Sequence, residues 1–342
     1  MAINHYTTSA GAPPWKGAAE MARNIQHDLL TTPSPDVRAR QRFVIQLKRK
    51  VEQMRRRASQ SAASAAPQYD AQGVVDQIYA DDIYRAACTL KRTGQEMMWD
   101  TIDASIDPEI ERMNQRFAAY SSSSERLGSL NLDPDLDPGE TWRRARVHLQ
   151  PGGYHAQAGE NDLRAGAYYE EGGALYSRGQ NVGTRESKAE CAIRFIREWR
   201  PEFTPKRILD MGCSAGASTI PYAIAFPDAE VHSVDLSASM LRYAHAKAEA
   251  VGARVHFHQM DVAATTLEAG SFDLVISHNA MHEMSNATRA AMFRESYRLL
   301  APGGLCVHQD LPLRSAELDA VRKADVMFDY WFNGELHWAD YL

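Results

Sequence analysis

The stretch of sequence that decides the fold is RILDMGCSAG, residues 207–216. Its first four residues are typical of a short buried strand, and this strand runs directly into a turn of small residues. A turn built from glycine, serine and alanine lets a ligand approach the backbone closely. Where such a turn joins a strand to a helix, ligands bind at the carboxyl edge of the sheet. The stretch therefore predicts a ligand-binding loop behind a first strand at 207–210.

Strands and helices alternate along the chain after this loop. Helical patterns separate most of the strands, which is typical of a parallel sheet with helices on both faces. We therefore predict an α/β fold with a Rossmann-like, doubly wound and mostly parallel sheet. The further strands are predicted at 229–235, 255–259, 272–277 and 304–308, and the helices at about 216–226, 237–251 and 286–300.

An acidic residue follows the loop at the spacing that a nucleoside ligand needs. Asp235 ends the second strand, 25 residues after Asp210, where a carboxylate can accept both ribose hydroxyls of an adenosine. Dinucleotide dehydrogenases share this logic, but their fingerprint is Gly-x-Gly-x-x-Gly. The frame from Gly212 is Gly-x-Ser-x-Gly instead. Asp210 would also lie awkwardly beside a pyrophosphate, whereas it suits a ligand with an ammonium group and a sulfonium.

Residues 208–216 resemble motif I of the class I S-adenosylmethionine-dependent methyltransferases, and later motifs agree in order and spacing. These are the acid at 235, MDV at 260–262, FDLVISHN at 272–279 and LLAPGG at 299–304. The resemblance covers about 187–312. One departure is Ser214, where the family usually has glycine. Serine is small, so we expect the cofactor still to fit, with a contact from the hydroxyl.

This resemblance implies a site for S-adenosylmethionine, with S-adenosylhomocysteine as the product. Each part of the cofactor has its expected residues. Asp210, Gly212, Ser214 and Gly216 would line the methionine end, Asp235 would hold the ribose, Leu236 would lie beside the adenine, Asp261 would meet its amino group, Val262 would meet its ring, and Ser277 and His278 would close the floor near the methyl group.

Among members of this family, the chain is similar to those that methylate small molecules. Methyltransferases acting on nucleic-acid amino groups carry an Asn/Asp-Pro-Pro-Tyr/Phe-like motif after the fourth strand, where this chain has SHNA at 277–280. Helices and loops before the core would form a lid over the acceptor, with Tyr168, Tyr169 and Tyr176 in it. We expect an O, N or C atom of a secondary metabolite to accept the methyl group.

His282 is the candidate acceptor-side base. It follows the fourth strand, at the sheet edge where the methyl group must point, and a histidine with a near-neutral pKa can take a proton there. Its neighbour Glu283 could orient or charge it, and His278 is the second catalytic candidate. The alternative is that His282 only caps or packs the short turn before the next helix.

The regions before the core divide into two. Residues 1–66 carry 11 Lys/Arg and 4 Asp/Glu, against 27 and 40 in the rest of the chain. They predict a flexible basic arm whose one amphipathic helix begins near Ser34-Pro35-Asp36 and is followed by a flexible Ala/Ser linker at 58–66. Residues 67–186 predict a helical and loop-rich lid, mostly helical from 74 to 120 and a folded loop region from 142 to 186. Residues 187–342 would be the cofactor-binding domain.

Two other functions compete with small-molecule methyl transfer. The basic arm could contact nucleic acid in a nucleic-acid-directed methyltransferase, although the acidic body argues against this. A catalytically silent fold could also bind the cofactor without turnover.

The C-terminal part of the chain is too short for the complete family sheet. Only 32 residues follow Asp310, and 315–331 predicts one helix. Two further strands would not fit, so we expect a shortened chain or a sheet edge that other segments cover.

Composition and spacing argue against several classes of protein. The four cysteines lie far apart without a Cys-x-x-Cys pair, which predicts neither disulfides nor a metal site. His256 and His258 lack a third nearby ligand and predict a surface pair. No apolar run is long enough for a membrane span and no secretory signal is present, so we expect a cytoplasmic protein. The sequence leaves open whether the chain forms a homodimer.

Overall fold

A six-stranded parallel sheet forms the centre of the molecule. The computed structural model describes residues 26–66, 68–176, 188–311 and 318–341. The sheet order is β1-β4-β3-β2-β5-β6, and every pair of neighbours is parallel. The strands are β1 (Ser129–Asn131), β2 (Arg207–Met211), β3 (Glu230–Asp235), β4 (His256–Gln259), β5 (Phe272–His278) and β6 (Leu300–Gln309). The strand order reverses at β2, so the predicted doubly wound sheet is confirmed, with its switch point beside the glycine-containing loop.

The described part of the chain also contains eleven α-helices. They are α1 (Pro35–Ser64), α2 (Ala71–Ala80), α3 (Asp82–Ile106), α4 (Ile110–Ser122), α5 (Glu140–Arg144), α6 (Arg164–Tyr176), α7 (Lys188–Trp199), α8 (Thr219–Ala225), α9 (Ala238–Ala250), α10 (Asn286–Leu299) and α11 (Ala320–Phe332). Helices α7, α8 and α9 share one core with the sheet, and α10 packs on its opposite face. No helix in the described ranges is long and apolar enough to cross a membrane.

The N-terminal helices form a further layer on α9. Met98 and Trp99 of α3 and Tyr168 of α6 lie in one buried cluster with Met240 and Tyr243 of α9. Strand β1 also comes from this region and extends the sheet beyond β4. The described N-terminal segments therefore pack directly on the core, and the division into 1–66, 67–186 and 187–342 stays a prediction.

The predicted linker at 58–66 is wrong, because α1 continues to Ser64. The helix begins as expected, with the Ser34 hydroxyl accepting the Val37 N–H. Ala58 is buried in a cluster with Ile78 and Tyr84. Alanine is a strong helix former, so a run rich in alanine and serine extends a helix once a neighbouring surface covers one face. Of the predicted flexible segment, residues 1–25 lie outside the described residues.

The folded loop region predicted at 142–186 is also wrong for 164–176, which form α6. The sequence did not predict this helix, because glycine has a low helix propensity. Gly166 lets α6 approach α9 closely, since a Cβ there would lie 2.3 Å from the Tyr243 Cβ. Close packing therefore explains the glycine at 166.

His256 and His258 do not form the surface pair that the sequence predicted. Both are half-buried on β4, and His232 of the adjacent β3 joins them. The rings of His232 and His258 stack at 5.3 Å, with 3.0 Å between Nδ1 of the first and Nε2 of the second. Sequence spacing could not show this, because the third histidine lies on another strand.

The C-terminal helix α11 turns away from the sheet. Ala324 and Phe328 pack in one cluster with residues of α1, α2 and α3. Residues 318–341 thus add a helix and a short 3-10 turn to the N-terminal helical layer rather than strands to the β6 edge.

Candidate active site

The loop after β2 depends on the backbone of Gly212. Its φ is +83°, a conformation that favours glycine, and Gly216 has a φ of +76°. A Cβ on Gly212 would lie 2.8 Å from the Ala280 Cβ, just beyond β5. The N–H of Gly212 donates to the Val234 carbonyl at 2.8 Å. The loop is therefore fixed against both neighbouring strands, with no room for a side chain at 212.

Ser214 occupies a backbone conformation that explains the usual glycine at this position. Its φ is +47°, in the left-handed region that costs L-residues energy. The Ser214 N–H donates to Asp235 Oδ2 at 2.8 Å, and its hydroxyl lies beside that of Tyr169. These two contacts hold Ser214 in a backbone conformation that glycine could adopt without strain.

Asp210 is fully buried below the loop and has one unpaired oxygen. Its Oδ2 accepts the hydroxyls of Ser218 and Thr219, each at 2.7 Å. Its Oδ1 is buried without a hydrogen-bond partner among the described residues. Burial raises the pKa of Asp210, and the nearby His278 offsets part of this rise. A buried acceptor normally has a partner, so this oxygen fits a ligand that brings a donor, such as an ammonium group.

Asp235 lies half-buried at the carboxyl end of β3. Its two oxygens accept the N–H groups of Ser214 and Ser237 at 2.8 and 2.9 Å. Burial raises the pKa of this carboxyl group. Each oxygen keeps a further lone pair. The carboxylate can thus fasten the loop and still accept hydroxyls from a bound ribose.

The residues predicted around the adenine follow the neighbouring strand ends. The Leu236 carbonyl accepts the Gln259 side-chain amide at 3.0 Å. Asp261 accepts the Ala263 N–H at 2.8 Å, as a turn residue does. Val262 is buried. The structure brings all three to the edge that holds Asp235, and their contacts with a cofactor stay a prediction.

Ser277 and His278 point to opposite faces of β5, as successive strand residues must. The Ser277 hydroxyl lies 2.7 Å from Nδ1 of His308, away from the loop. His278 lies on the side of Asp210, with its Nε2 3.1 Å from the Tyr222 hydroxyl and its Nδ1 2.8 Å from Gln309 Oε1. Only His278 of this pair is placed to form part of the floor.

His282 differs electrostatically from the near-neutral base that the sequence predicted. Its Nδ1 lies 2.5 Å from Asp310 Oδ1, and its Nε2 lies 3.3 Å from Glu283 Oε1. Burial alone would lower the pKa of His282, but these two carboxylates outweigh it and raise the pKa to about 10. The imidazole therefore carries two protons at neutral pH and has no free nitrogen for a proton from an acceptor.

The three predicted lid tyrosines separate in space. Tyr169 lies at the loop, beside Ser214. Tyr176 lies farther out, with its ring 5.1 Å from that of His148. Tyr168 donates to Asp103 in the packing between α6 and α3, and its ring is 6.1 Å from Trp99. Tyr168 is not brought together with the other site residues.

Sequence reasoning missed several residues around this site. Asp310 had a usable signal, because it follows β6 at the same sheet edge as Asp235. Tyr154 had none, although its carbonyl accepts the Ser237 hydroxyl at 2.5 Å. His148 and Glu335 are 187 positions apart in sequence and form an ion pair only in the fold. Burial raises the pKa of Glu335 to about 7.

Comparison with known proteins gives independent information on the core. A model described as a methyltransferase domain matches residues 208–304. Demethylmenaquinone methyltransferase of Thermus thermophilus is 36% identical over 40% of this chain and 58% of that protein. Trans-aconitate 2-methyltransferase of Methylobacterium radiotolerans is 34% identical over 40% of this chain and 47% of that protein. The chain thus covers less than two thirds of either relative.

Among solved structures, a sugar N-methyltransferase from Streptoalloteichus is 27% identical, with a TM-score of 0.34. This similarity covers 42% of the present chain and 55% of that protein. The family match, by contrast, begins in β2 and ends in β6, and it includes the loop and both acids described above. Residues 208–304 are a methyltransferase domain of the class I S-adenosylmethionine-dependent family.

Proposed function

We propose that this chain is an S-adenosylmethionine-dependent methyltransferase whose acceptor is a small molecule. The observation that carries the proposal is the pair of acids at the switch point of the sheet. Asp210 presents a buried oxygen without a partner, and Asp235 has lone pairs left beside the loop. The two groups match the ammonium and the ribose of this cofactor, and Gly212 leaves the backbone open between them.

When bound, S-adenosylmethionine supplies an already activated methyl group on its sulfonium. The protein must then hold the acceptor in line, exclude water and accommodate any proton that the acceptor loses. Because His282 retains its proton, we assign it to positioning. Together with Asp310, which also accepts the N–H groups of Met281 and His282 at 2.7 and 3.1 Å, it fixes the turn beyond β5.

The way in which the N-terminal layer covers the loop supports a small acceptor. Tyr169 contacts Ser214 directly, and its ring lies 5.7 Å from that of Tyr154. Tyr154 in turn accepts a hydrogen bond from Ser237, next to Asp235. Aromatic side chains over a cofactor site shield a compact acceptor from water. The expectation of a secondary metabolite rests on the resemblance in sequence alone.

The test offers tritiated S-adenosylmethionine to the full chain with three separate acceptor pools: small metabolites, protein and RNA. We expect label in the small-metabolite pool, and its loss with Asp210→Asn, which removes the charge at nearly unchanged size. Label confined to RNA or protein would overturn the acceptor class. No label in any pool, despite cofactor binding, would favour a silent fold.

A further inference from the structure

Three side chains with metal-ligand chemistry converge beside the candidate active site. His148, Glu283 and Glu335 each offer one ligand atom within 4.8 Å of the other two. They come from three distant segments: the turn after α5, the turn after β5 and the segment after α11. It is the one such group of three or more in the described ranges. The sequence predicted no metal site, because the three residues share no local spacing.

The two nitrogens of His148 face the two carboxylates. Its Nδ1 is paired with Glu335 Oε1, and its Nε2 lies 3.9 Å from Glu283 Oε1. The Glu335 side chain has no exposed surface. Its Oε2 is buried and has no hydrogen-bond partner among the described residues. One carboxylate oxygen in this cluster therefore lacks the partner that a buried charge requires.

The charges of this cluster do not balance. Two carboxylates share one imidazole, because the neighbouring imidazole of His282 is committed to Asp310 as well as to Glu283. A buried carboxylate without full compensation is strongly disfavoured unless a cation accompanies it or it takes up a proton. The surroundings thus favour a positively charged ligand.

We propose that His148, Glu283 and Glu335 bind one divalent first-row metal ion, of the kind represented by Zn²⁺ or Mn²⁺. Imidazole suits zinc, carboxylates suit manganese, and mixed nitrogen and oxygen ligands are common to both. The free Oε2 of Glu335 is the oxygen that gains most from such an ion. Three protein ligands also leave a coordination position open, as in metal sites that take a substrate.

The supporting contacts hold two of the ligands in place. The His148 carbonyl accepts the side chains of Gln95 and Trp99, each at 2.7 Å. The turn that carries Glu283 is fixed by Asp310. Ligands that are fixed before binding lose less freedom when the ion arrives.

The position of the cluster suggests what the ion would do, and this step rests on the proposed function. The His148 ring lies 6.4 Å from the Tyr154 ring. Tyr154 in turn packs against Tyr169, which lies beside Ser214 in the loop. A metal ion there would bind an acceptor through an oxygen atom and lower the pKa of a bound hydroxyl. The acceptor class would then be a molecule with a hydroxyl or carboxylate oxygen.

The test measures metal binding directly on the full chain after dialysis against a chelator. Titration with Co²⁺, followed by visible absorption, and with Zn²⁺, followed by calorimetry, should reveal one equivalent of bound ion. His148→Ala and Glu335→Gln should each weaken binding more than about 10-fold, the lower end of the effect seen even for residues that only support a ligand. Glu283→Gln is the further variant if Glu335→Gln fails to fold.

Glu295→Gln is the matched control. Glu295 of α10 is also a buried carboxylate, but it pairs with Arg298 of the same helix and with Thr265 in the segment before β5, so its replacement should leave metal affinity unchanged. The proposal would be overturned if the wild type bound no stoichiometric metal ion. It would also be overturned if folded Glu283→Gln and Glu335→Gln bound the ion as tightly as the wild type does. Calorimetry with S-adenosylhomocysteine distinguishes the two proposals. A protein that binds this compound but no metal ion would contradict the metal site and leave the proposed function intact.

Discussion

At the scale of single residues, Ser214 is the clearest conflict between a side chain and its backbone. Its φ of +47° is disfavoured for L-residues, yet its hydroxyl contacts Tyr169. Comparing Ser214→Gly with Ser214→Ala separates these effects, since both variants lose the hydroxyl and only glycine relieves the backbone. We expect the glycine variant to be more stable than the alanine variant by about 1 kcal/mol in urea unfolding. Equal stability would show that the backbone is not strained here.

Part of the site was predictable from individual residues. Gly212, Asp210 and Asp235 could be assigned to one edge, because each follows or ends a strand whose type was clear from its apolar run. The charge state of His282 could not be predicted, since Asp310 lies 28 positions away and contacts it only after β5 and β6 pair. The grouping of His148 with Glu335 depends in the same way on the finished fold.

At the scale of elements, the contact between α6 and α9 depends on the absence of a side chain at Gly166. A Cβ there would lie 2.3 Å from the Tyr243 Cβ, so the helices would have to separate. We expect Gly166→Ala to destabilise the protein by about 1–3 kcal/mol, despite the better helix propensity of alanine.

Gly173 provides the control within the same helix. A Cβ at this position would meet nothing within 4 Å. Gly173→Ala should therefore stabilise the protein by about 0.5–1 kcal/mol. Chemical unfolding of both variants measures the difference, and a stabilising Gly166→Ala would contradict the close packing of the two helices.

A second contact joins the same two helices through charge. Lys247 Nζ of α9 lies 2.6 Å from Glu170 Oε2 of α6. Burial raises the pKa of Glu170, but Lys247 and His27 outweigh it and lower the pKa to about 2. A lowered carboxyl pKa stabilises the fold above the unfolded value of about 4.5, and this contribution is lost as the pH falls towards 2.

The stability of the wild type relative to Glu170→Gln should therefore shrink by about 2 kcal/mol between pH 5 and pH 3. Urea unfolding at several pH values measures this difference. Glu268→Gln, at an exposed position between β4 and β5, is the control and should show no such trend. A constant gap between wild type and Glu170→Gln would mean that the ion pair does not shift this carboxyl group.

The elements themselves were predicted well where local patterns decide them. The five strands after residue 200 were placed close to their observed bounds, because buried parallel strands are short apolar runs. The predictions failed at 58–64 and 164–176, where helices contain runs of small residues. Alanine, serine and glycine give no apolar periodicity, and tertiary packing then decides whether such segments are helical.

At the scale of the whole molecule, an ion pair joins α11 to α1, two helices that lie far apart in sequence. Asp325 of α11 pairs with Arg55 of α1, which is almost fully buried and also pairs with Glu52 at 2.9 Å. Asp325→Ala should destabilise the protein by about 2–3 kcal/mol, because the buried guanidinium keeps only one carboxylate partner.

Arg322→Ala is the control for that variant. Arg322 also approaches Asp325, at 3.9 Å, but its side chain is half exposed. Its removal should change the free energy of unfolding by less than about 0.5 kcal/mol. Thermal and urea unfolding test both variants. An unchanged free energy of unfolding in Asp325→Ala would mean that the buried ion pair does not stabilise the protein.

Calorimetric titration of the full chain with S-adenosylhomocysteine is the decisive test of the cofactor site. We expect one binding site, no binding of NADH, and a loss of about 1–3 kcal/mol of binding free energy in Asp235→Ala. Asp228→Ala, at an exposed position before β3, should bind as the wild type does. A folded wild-type protein that binds neither S-adenosylhomocysteine nor S-adenosylmethionine would show that the loop and the two acids do not form a site for this cofactor.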